Sequence, residues 1–373
     1  MANCNFISTE SLSSISGGWN GMSYSLYQEL KRYYNVNYIG PIKPPVALFS
    51  KVLSKLKRSL GLKSDFIFYD ELRLSNIAKA ARLKTAKNVA FNFYHGSTPW
   101  IKTDNKIPYF CYLDASFYTY VSVYLNKNQF NNKDLDRVFE QEKDFLTNAT
   151  RVFFSSSYAK NQAQDAYSLS GENFQVVNMG GNIPIPEKAT DRYKPELLFI
   201  SRDFEGKGGL LCFKAYSAIK KKYPEFSLNI IGERPPEEVL NYADVNYLGY
   251  LDKNKPEDFQ QMQEIFSRAF CLIHPTVKDM TPLVIAEANY YSIPAIAPAS
   301  FGIPDMILDK ETGILIKNLN AEEITDAIAY FVDNKEYYTK MRQSCYNYAI
   351  TNFAWEAVGK TIHNTIDSAL DLK

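Results

Sequence analysis

Short apolar runs alternate with segments of helical periodicity along almost the whole chain of 373 residues, and this alternation is the strongest constraint on the fold. Nearly continuous apolar strands that alternate with helices are typical of a parallel sheet covered on both faces. The alternation occurs on both sides of a segment rich in Gly and Pro at 180–188, so the sequence predicts two Rossmann-like, doubly wound α/β domains. The predicted strands are Asn5–Ser8, Asn37–Gly40, Phe66–Tyr69, Val89–Tyr94, Tyr109–Leu113, Arg151–Ser155, Gln175–Asn178, Leu197–Ile200, Leu228–Ile231, Asn246–Leu248, Ala269–His274, Pro294–Ala297 and Gly313–Ile316.

Two such domains are expected to present the carboxyl ends of their strands to a central cleft, where open α/β sheets bind ligands. Since domains of roughly 150 residues are typical, the length fits two. We predict an N-terminal domain at 1–183, a C-terminal domain at 184–351, and a last helix at 352–373 that packs back on the N-terminal domain.

The composition excludes several classes of protein. The 42 Lys and Arg residues nearly balance the 41 Asp and Glu residues, so the net charge of +1 supplies no general attraction for nucleic acid. Five cysteines lie far apart in mostly apolar runs, which predicts buried free thiols in a reducing compartment. With three histidines and no Cys or His at ligand spacing, we expect no metal site. No apolar run reaches 18 residues, and a cytoplasmic protein is the expectation.

A loop suited to a diphosphate follows the predicted strand Leu197–Ile200. It carries Arg202 and Lys207 among glycines, directly before a predicted helix, so two cations and several flexible amides lie between a strand end and a helix start. The alternative is that both cations are surface residues that pair with Asp203 and Glu205.

A second loop follows the predicted strand Ala269–His274 and carries two carboxylates eight residues apart. Asp279 could contact a sugar at the loop, while Glu287, one turn into the next helix, accepts hydrogen bonds from a diol. The alternative for Asp279 is a capping role near the helix start. Near the N-terminus, Gly17 and Gly18 open the first long helix, where bare amides could approach an anion or form a simple turn.

In this order and spacing, the motifs resemble those of family-4 retaining glycosyltransferases, which have the GT-B fold. The resemblance spans nearly the whole chain, although the family's first glutamate is an aspartate here, Asp279. The segments that carry it are the Gly17-Gly18 turn, the run from Ser201-Arg202 to Lys207-Gly208, the stretch from Asp279 to Ala288, Gly302-Ile303-Pro304-Asp305, Glu311-Thr312-Gly313-Ile314-Leu315 and Phe353-Ala354-Trp355-Glu356.

The resemblance implies transfer of a hexose from a nucleotide-diphospho-sugar bound mainly in the C-terminal domain. Glu287 would bind the ribose, Arg202 and Lys207 would neutralise the diphosphate, and no metal or other cofactor would be required. Asp279 and the amides of Met280 and Thr281 would bind the hexose, with Gly17 and Gly18 as further donor-binding residues. The implied catalytic residues are Asp114, Asp279, Arg202 and Lys207.

The N-terminal domain is expected to bind the acceptor, which would be a glycan, a lipid-linked sugar or a small molecule, as in polysaccharide biosynthesis. Asp114 lies in a segment that resembles Thr-Asp-Ala-Thr of some family members, and it could orient the acceptor or cap the following turn. His95 and His274 end predicted strands and could line the cleft, with a core position as the alternative. Two other functions stay open: a non-catalytic nucleotide-sugar binding protein and a nucleotide-sugar epimerase of GT-B fold.

The segment 43–63 has six basic residues and no acidic one. A helix here would have an apolar face along Phe49, Leu53, Leu56 and Leu60 and a basic remainder. One interpretation is that the apolar face packs on the N-terminal domain. The other is an interfacial helix that contacts the anionic inner face of a membrane and brings the protein to a lipid-linked acceptor.

Overall fold

The computed structural model describes residues 1–15 and 17–372, which form two compact units. The N-terminal unit comprises residues 1–178 and the chain from 359 onward, and the C-terminal unit comprises residues 179–358. The sequence predicts these boundaries at 183/184 and 351/352.

In the described part of the N-terminal unit, six strands form one parallel sheet, as the apolar runs predict. The strands are β1 (Asn3–Ile7), β2 (Asn35–Ile39), β3 (Phe91–His95), β4 (Tyr109–Leu113), β5 (Arg151–Phe154) and β6 (Phe174–Val176). Their order in the sheet is β2-β1-β3-β4-β5-β6. The helices are α1 (Gly18–Tyr33), α2 (Leu48–Ser59), α3 (Glu71–Lys84), α4 (Phe117–Tyr124), α5 (Asn132–Thr147) and α6 (Ser157–Tyr167), with short 3₁₀ segments at Ile67–Tyr69, Thr98–Trp100 and Lys127–Gln129.

The C-terminal unit repeats this architecture among its described residues. Its strands are β7 (Glu196–Ser201), β8 (Ser227–Gly232), β9 (Val245–Tyr247), β10 (Cys271–Ile273), β11 (Ala295–Pro298) and β12 (Gly313–Ile316), in the parallel order β12-β11-β10-β7-β8-β9. The helices are α7 (Gly209–Lys222), α8 (Glu237–Leu240), α9 (Pro256–Arg268), α10 (Leu283–Tyr290), α11 (Ile303–Met306), α12 (Ala321–Asp333), α13 (Lys335–Asn352) and α14 (Trp355–Leu370), the last of which continues into the N-terminal unit. The predicted class of two Rossmann-like α/β domains is confirmed.

Aromatic side chains fill the core of the N-terminal sheet. Phe93 on β3 stacks on Phe6 of β1 and on Phe153 of β5, with ring centroids 6.0 and 6.1 Å apart, and all three side chains are fully buried. Every residue of β3 and β4 is buried, which explains why these strands are nearly continuous apolar runs in the sequence. The five cysteines are buried and free, as predicted.

The strand predicted at Phe66–Tyr69 is wrong. Ile67–Tyr69 is a 3₁₀ segment, and the backbone N–H of Phe66 donates to Asp134 Oδ2 at 2.6 Å instead of to a neighbouring strand. The Phe66 ring packs edge-on against Phe117, with centroids 5.0 Å apart. A short apolar run fits either structure, because periodicity alone does not distinguish a strand from another buried segment of this length.

The helix predicted within 43–63 is present as α2, but its apolar face points to solvent. Phe49 is 76%, Leu56 54% and Leu60 65% exposed. Leu53 is partly buried, and the fully buried residue of this helix is Ser54. The interpretation in which the apolar face packs on the N-terminal domain is therefore wrong. None of the described helices combines the length and the apolar character that crossing a bilayer requires.

Candidate functional site

The loop after β7 is a tight turn that leads directly into α7. Ser201 Oγ donates to Asp203 O at 2.7 Å, and Asp203 Oδ1 accepts from the Gly206 N–H at 2.9 Å. Gly208 has φ +77°, and a Cβ at this position would lie 2.1 Å from the carbonyl oxygen of Pro275. Only glycine fits this position, so the loop is held close to the segment that follows β10.

Lys207 connects this loop to the loop after β10. Its Nζ donates to Asp279 Oδ2 at 2.7 Å and to the carbonyl oxygen of Lys278 at 2.8 Å. Among the described residues, Lys207 does not pair with Asp203 or Glu205, so the alternative of a simple surface pair is wrong for this lysine. Two residues that the sequence assigns to diphosphate and hexose are thereby in direct contact.

Asp279 is held in its ionised form. Burial alone would raise the pKa of this carboxyl, but the imidazole of His274 and the ammonium of Lys207 outweigh burial and lower the pKa below its usual value. His274 Nε2 lies 3.4 Å from Asp279 Oδ2. The capping alternative is not observed, because α10 begins after Pro282 with no side-chain cap.

His274, Met280 and Thr281 line the buried side of this loop. The side chain of His274 is 2% exposed, and within residues 1–15 and 17–372 neither Nδ1 nor Nε2 has a hydrogen-bond partner. Met280 and Thr281 are also buried, and the Met280 carbonyl accepts from the Gly302 N–H at 2.9 Å. The structure thus places His274 beside Asp279, in a buried position where neither ring nitrogen has a hydrogen-bond partner among the described residues.

Arg202 has a different partner from Lys207. It is exposed, and its guanidinium lies over the ring of Tyr250, 4.7 Å from the centroid, while also donating to the Tyr250 hydroxyl. No pair with Asp203 or Glu205 occurs in the described part of the chain. Arg202, in the loop after β7, thus contacts Tyr250, in the loop after β9, through a cation–π interaction.

Glu287 is buried on α10, with one carboxylate oxygen engaged and the other available. Oε1 accepts from the Asn182 N–H at 2.8 Å and from the ammonium of Lys253, whereas Oε2 has no partner among the described residues. A Cβ on Gly181 would lie 2.5 Å from Glu287 Cγ, so the 181–182 backbone approaches this closely only because residue 181 is glycine. The available oxygen is suited to accept hydrogen bonds from a diol.

In the N-terminal unit, the glycine turn is packed against His95. Gly17 has φ +89° and precedes α1, which begins at Gly18. Trp19 stacks on the imidazole of His95 with centroids 4.0 Å apart, and His95 Nδ1 lies 3.5 Å from Ser8 Oγ. Burial lowers the pKa of His95 to about 3, so the ring is neutral near pH 7.

Asp114 follows β4 at the same carboxyl edge of the sheet as His95. The N-cap residue of α4 is Ser116, whose Oγ accepts from the Thr119 N–H at 3.2 Å, so Asp114 is not the residue that caps this helix. Asp114 is partly buried, and its charge contributes to the raised pKa of Tyr112 after the larger effect of burial.

A buried carboxylate that the sequence analysis missed joins the two loops at this edge. Glu142 of α5 is fully buried and accepts from Ser97 Oγ at 2.6 Å, Thr98 Oγ1 at 2.7 Å and the Phe117 N–H at 2.7 Å. Burial raises the pKa of Glu142, although these hydrogen bonds oppose the shift. Glu142 thus fixes the loop after His95 relative to the start of α4.

The fold of both units resembles the GT-B fold of known glycosyltransferases. Residues 185–351 match the family of "Glycosyl transferases group 1". Over 253 residues the chain is 20% identical to D-inositol 3-phosphate glycosyltransferase of Corynebacterium aurimucosum, an alignment that covers 62% of this chain and 60% of that relative. The chain thus spans less than two thirds of the length of this relative.

Solved structures match over the full length. Sucrose-phosphate synthase from Thermosynechococcus elongatus superimposes with a TM-score of 0.70 at 16% identity and covers 100% of both chains. HepE of Anabaena, solved in complex with UDP-glucose, gives a TM-score of 0.65 at 14% identity and covers 99% of this chain and 100% of its own. The predicted resemblance to GT-B glycosyltransferases is confirmed: the whole chain has the GT-B fold, and residues 185–351 match the group 1 family.

Proposed function

We propose that the protein is a retaining glycosyltransferase that moves a hexose from a nucleotide-diphospho-sugar to an acceptor. The observation that carries this proposal is the arrangement of the C-terminal unit, where the Lys207–Asp279 pair lies before α10 and the buried Glu287 on α10 has one free oxygen. The names of the similar proteins support the same activity, since one is a glycosyltransferase and another is solved with UDP-glucose.

Each residue of this arrangement has a role in the proposed reaction. Glu287 Oε2 accepts hydrogen bonds from the ribose hydroxyls, and Asp279 with the amides of Met280 and Thr281 binds the hexose. Charge builds on the leaving diphosphate while the sugar becomes oxocarbenium-like, so Arg202, Lys207 and the N-terminus of α10 stabilise the transition state. These fixed positive charges stabilise the negative charge on the leaving diphosphate, which a divalent metal ion would otherwise stabilise. We propose that the enzyme needs no metal ion.

Retention of configuration follows in this proposal from attack of the acceptor on the same face that the diphosphate leaves. A leaving phosphate oxygen takes up the acceptor proton, so no protein nucleophile is required. NMR of the product at early times, read for the anomeric proton, decides between retention and inversion.

The acceptor side of the proposal lies in the N-terminal unit, at the carboxyl edge of its sheet. Asp114 orients the acceptor or the reacting sugar, and His95, neutral and packed against Trp19, supports the glycine turn with Gly17 and Gly18. We propose a glycan or lipid-linked acceptor in polysaccharide biosynthesis, and a cytoplasmic protein that contacts the inner membrane face through 43–63.

The test is incubation with UDP-, GDP- and ADP-sugars, first without and then with candidate acceptors. Thermal shift identifies the nucleotide, because a ligand that binds only the folded state raises Tm. Release of nucleoside diphosphate with sugar transfer or slow hydrolysis supports a transferase. A changed sugar on the intact nucleotide would instead identify an epimerase, and binding without any turnover would identify a binding protein.

A further inference from the structure

The outward face of α2 is part of a larger apolar surface. Phe49 and Leu56 are exposed on the helix, and Leu60 and Leu62 are exposed at and after its C-terminal end. The 3₁₀ segment Ile67–Tyr69 contacts α2 and adds the exposed Phe68. This set is named the α2 surface and comprises Leu48, Phe49, Val52, Leu56, Leu60, Leu62, Phe68 and Leu72, all more than half exposed. An exposed set of this size on one short stretch of chain marks an interaction site.

The helix α2 packs on the N-terminal unit with its polar side and leaves most of its apolar side exposed. The helix contacts the rest of the unit through its small and polar side, where Ser54 is buried and Lys57 forms an ion pair with Asp65 at 3.0 Å. The larger part of the apolar side is exposed, and only Leu53 of the predicted apolar face is partly buried. A helix that buries serine and exposes phenylalanine and leucine has the reverse of the pattern expected for a helix that packs on its own core.

Cations border the α2 surface without acidic partners. Lys51 and Lys55 are exposed on α2, and no acidic residue pairs with either in the described part of the chain. Among the described residues, Arg58 donates to the carbonyl oxygen of Ser54, at 3.3 Å, and pairs with no carboxylate. The segment 43–63 itself contains no Asp or Glu. The surface is therefore both apolar and positively charged.

This combination selects one kind of partner. A second copy of the chain would bring the same unpaired cations against each other, which opposes self-association through this face. An anionic lipid surface supplies negative headgroups and an apolar phase in adjacent layers, and long Lys side chains reach the headgroups while apolar side chains enter the acyl boundary. The charge pattern of α2 complements that layering.

The chain reaches α2 from the edge where the acceptor is proposed to bind, through residues 40–47. The strands of the N-terminal sheet are parallel, so β2 ends at Ile39 on the same edge at which β3 ends at His95 and β4 leads to Asp114. The chain passes from this edge into α2. Docking through α2 would therefore hold that edge near the lipid surface.

We propose that the α2 surface docks on an anionic lipid bilayer, with Phe49 and Leu56 inserted below the headgroups and Lys51 and Lys55 at the headgroup level. The proposal deepens the proposed function, on which it rests, by committing the acceptor site to a membrane-bound substrate and by assigning attachment to apolar insertion as well as charge.

The test is co-sedimentation of the full chain with phosphatidylcholine vesicles and with vesicles that also contain phosphatidylglycerol, at low and high salt. We expect binding to the anionic vesicles, and a fall of about 30-fold in affinity at low salt for Lys51→Ala/Lys55→Ala. Phe49→Ser and Leu56→Ser should each lose about tenfold or more at both salt concentrations, because apolar insertion is not screened.

The matched control is Leu83→Ser, since Leu83 on α3 is 73% exposed, close to Phe49, and lies outside the α2 surface. It should bind vesicles as wild type does. Equal binding to neutral and anionic vesicles, or an equal loss in Leu83→Ser, would overturn the proposal. So would sedimentation velocity that shows a dimer abolished by Leu56→Ser, in a protein that does not bind vesicles.

A donor assay separates this inference from the proposed function. Release of nucleoside diphosphate from the donor sugar in the absence of lipid should be the same in wild type and in the α2 variants, because these residues lie on the outer surface of the N-terminal unit. Normal release without vesicle binding would defeat the docking proposal alone. Vesicle binding by a protein that turns over no nucleotide sugar would defeat the proposed function and would still support docking of the α2 surface on lipid.

Discussion

Lys253 and Glu287 form an ion pair that engages one carboxylate oxygen of Glu287 and leaves the other available. Glu287 is 4% exposed, and a buried carboxylate without a partner would be costly, so Lys253 and the Asn182 N–H compensate its charge. Because both contacts are made to Oε1, Oε2 remains free to bind a ligand. The pair thus allows a buried charge to be stable before the donor binds.

Replacing Glu287 should remove the ribose contact. We expect Glu287→Ala to lower kcat/KM by about two orders of magnitude, because a bound diol loses a charged acceptor and Lys253 is left without its partner. Steady-state kinetics with the preferred donor measures this loss, and calorimetry with the nucleoside diphosphate measures the loss of affinity.

Two further variants make the result specific to the free oxygen. Lys253→Ala removes the ion pair but keeps Oε2, so it should reduce donor affinity less than Glu287→Ala does. Glu264→Ala, at an exposed position on α9 of the same unit, should have no effect. Unchanged donor affinity in Glu287→Ala would contradict the ribose assignment.

Arg202 and Lys207 should contribute to affinity through the phosphates. Replacing either by Ala is expected to weaken nucleoside diphosphate binding by about 2 kcal/mol and nucleoside binding far less, because the lost hydrogen bonds are charge-assisted. Lys222→Ala is the control, since Lys222 pairs with Asp333 on the surface of the same unit. Equal losses for the two ligands would show that these cations do not bind the diphosphate.

Local patterns in the sequence predict the strands, the two donor-side loops and their charged residues, because each loop directly follows a strand that the apolar run identifies. They do not predict the partners of those residues. Lys253 approaches Glu287, Tyr250 approaches Arg202, and Glu142 reaches the loop after His95 only through the fold. No motif links these positions in the sequence.

The helix α2 shows a second limit of sequence patterns. Periodicity indicates which residues share a face, but it does not say which face is covered, since that depends on what packs against the helix. Here Ser54 is covered and Leu56 is exposed. The apolar run at Phe66–Tyr69 shows the related limit for short segments, where a strand and a 3₁₀ segment have the same pattern.

Removal of divalent metal ions should leave transfer intact. In the proposed mechanism, Arg202, Lys207 and the N-terminus of α10 supply positive charge where the diphosphate leaves, so a chelator should change the initial rate by less than about twofold. The measurement is the rate of transfer in chelator, with and without added magnesium or manganese. Complete loss of activity that either ion restores would contradict a metal-independent mechanism.

Asp114 should affect transfer more than donor binding. We expect Asp114→Asn to reduce kcat by about tenfold or more while the Kd of the nucleotide sugar changes little, because Asp114 is proposed to act on the acceptor or on the reacting sugar. Ser116→Ala is a matched control, as it removes the N-cap of α4 without changing charge. Wild-type turnover in Asp114→Asn would assign Asp114 a structural role.

His95 should make the stability of the N-terminal unit depend on pH. Burial lowers the pKa of His95 to about 3, whereas an unfolded histidine titrates near 6.5. As pH falls below 6.5, the unfolded chain binds a proton that the folded unit does not, so this residue's contribution is complete above that pH and is lost as pH falls toward 3. Between pH 7 and pH 5 the free energy of unfolding should fall by about 2 kcal/mol from His95 alone.

His95→Phe keeps an aromatic ring against Trp19 and removes the titration of residue 95. Urea unfolding followed by tryptophan fluorescence should therefore show, for this variant, a fall in the free energy of unfolding that is smaller by about 2 kcal/mol. An equal fall in the variant and the wild type would mean that burial does not keep His95 neutral.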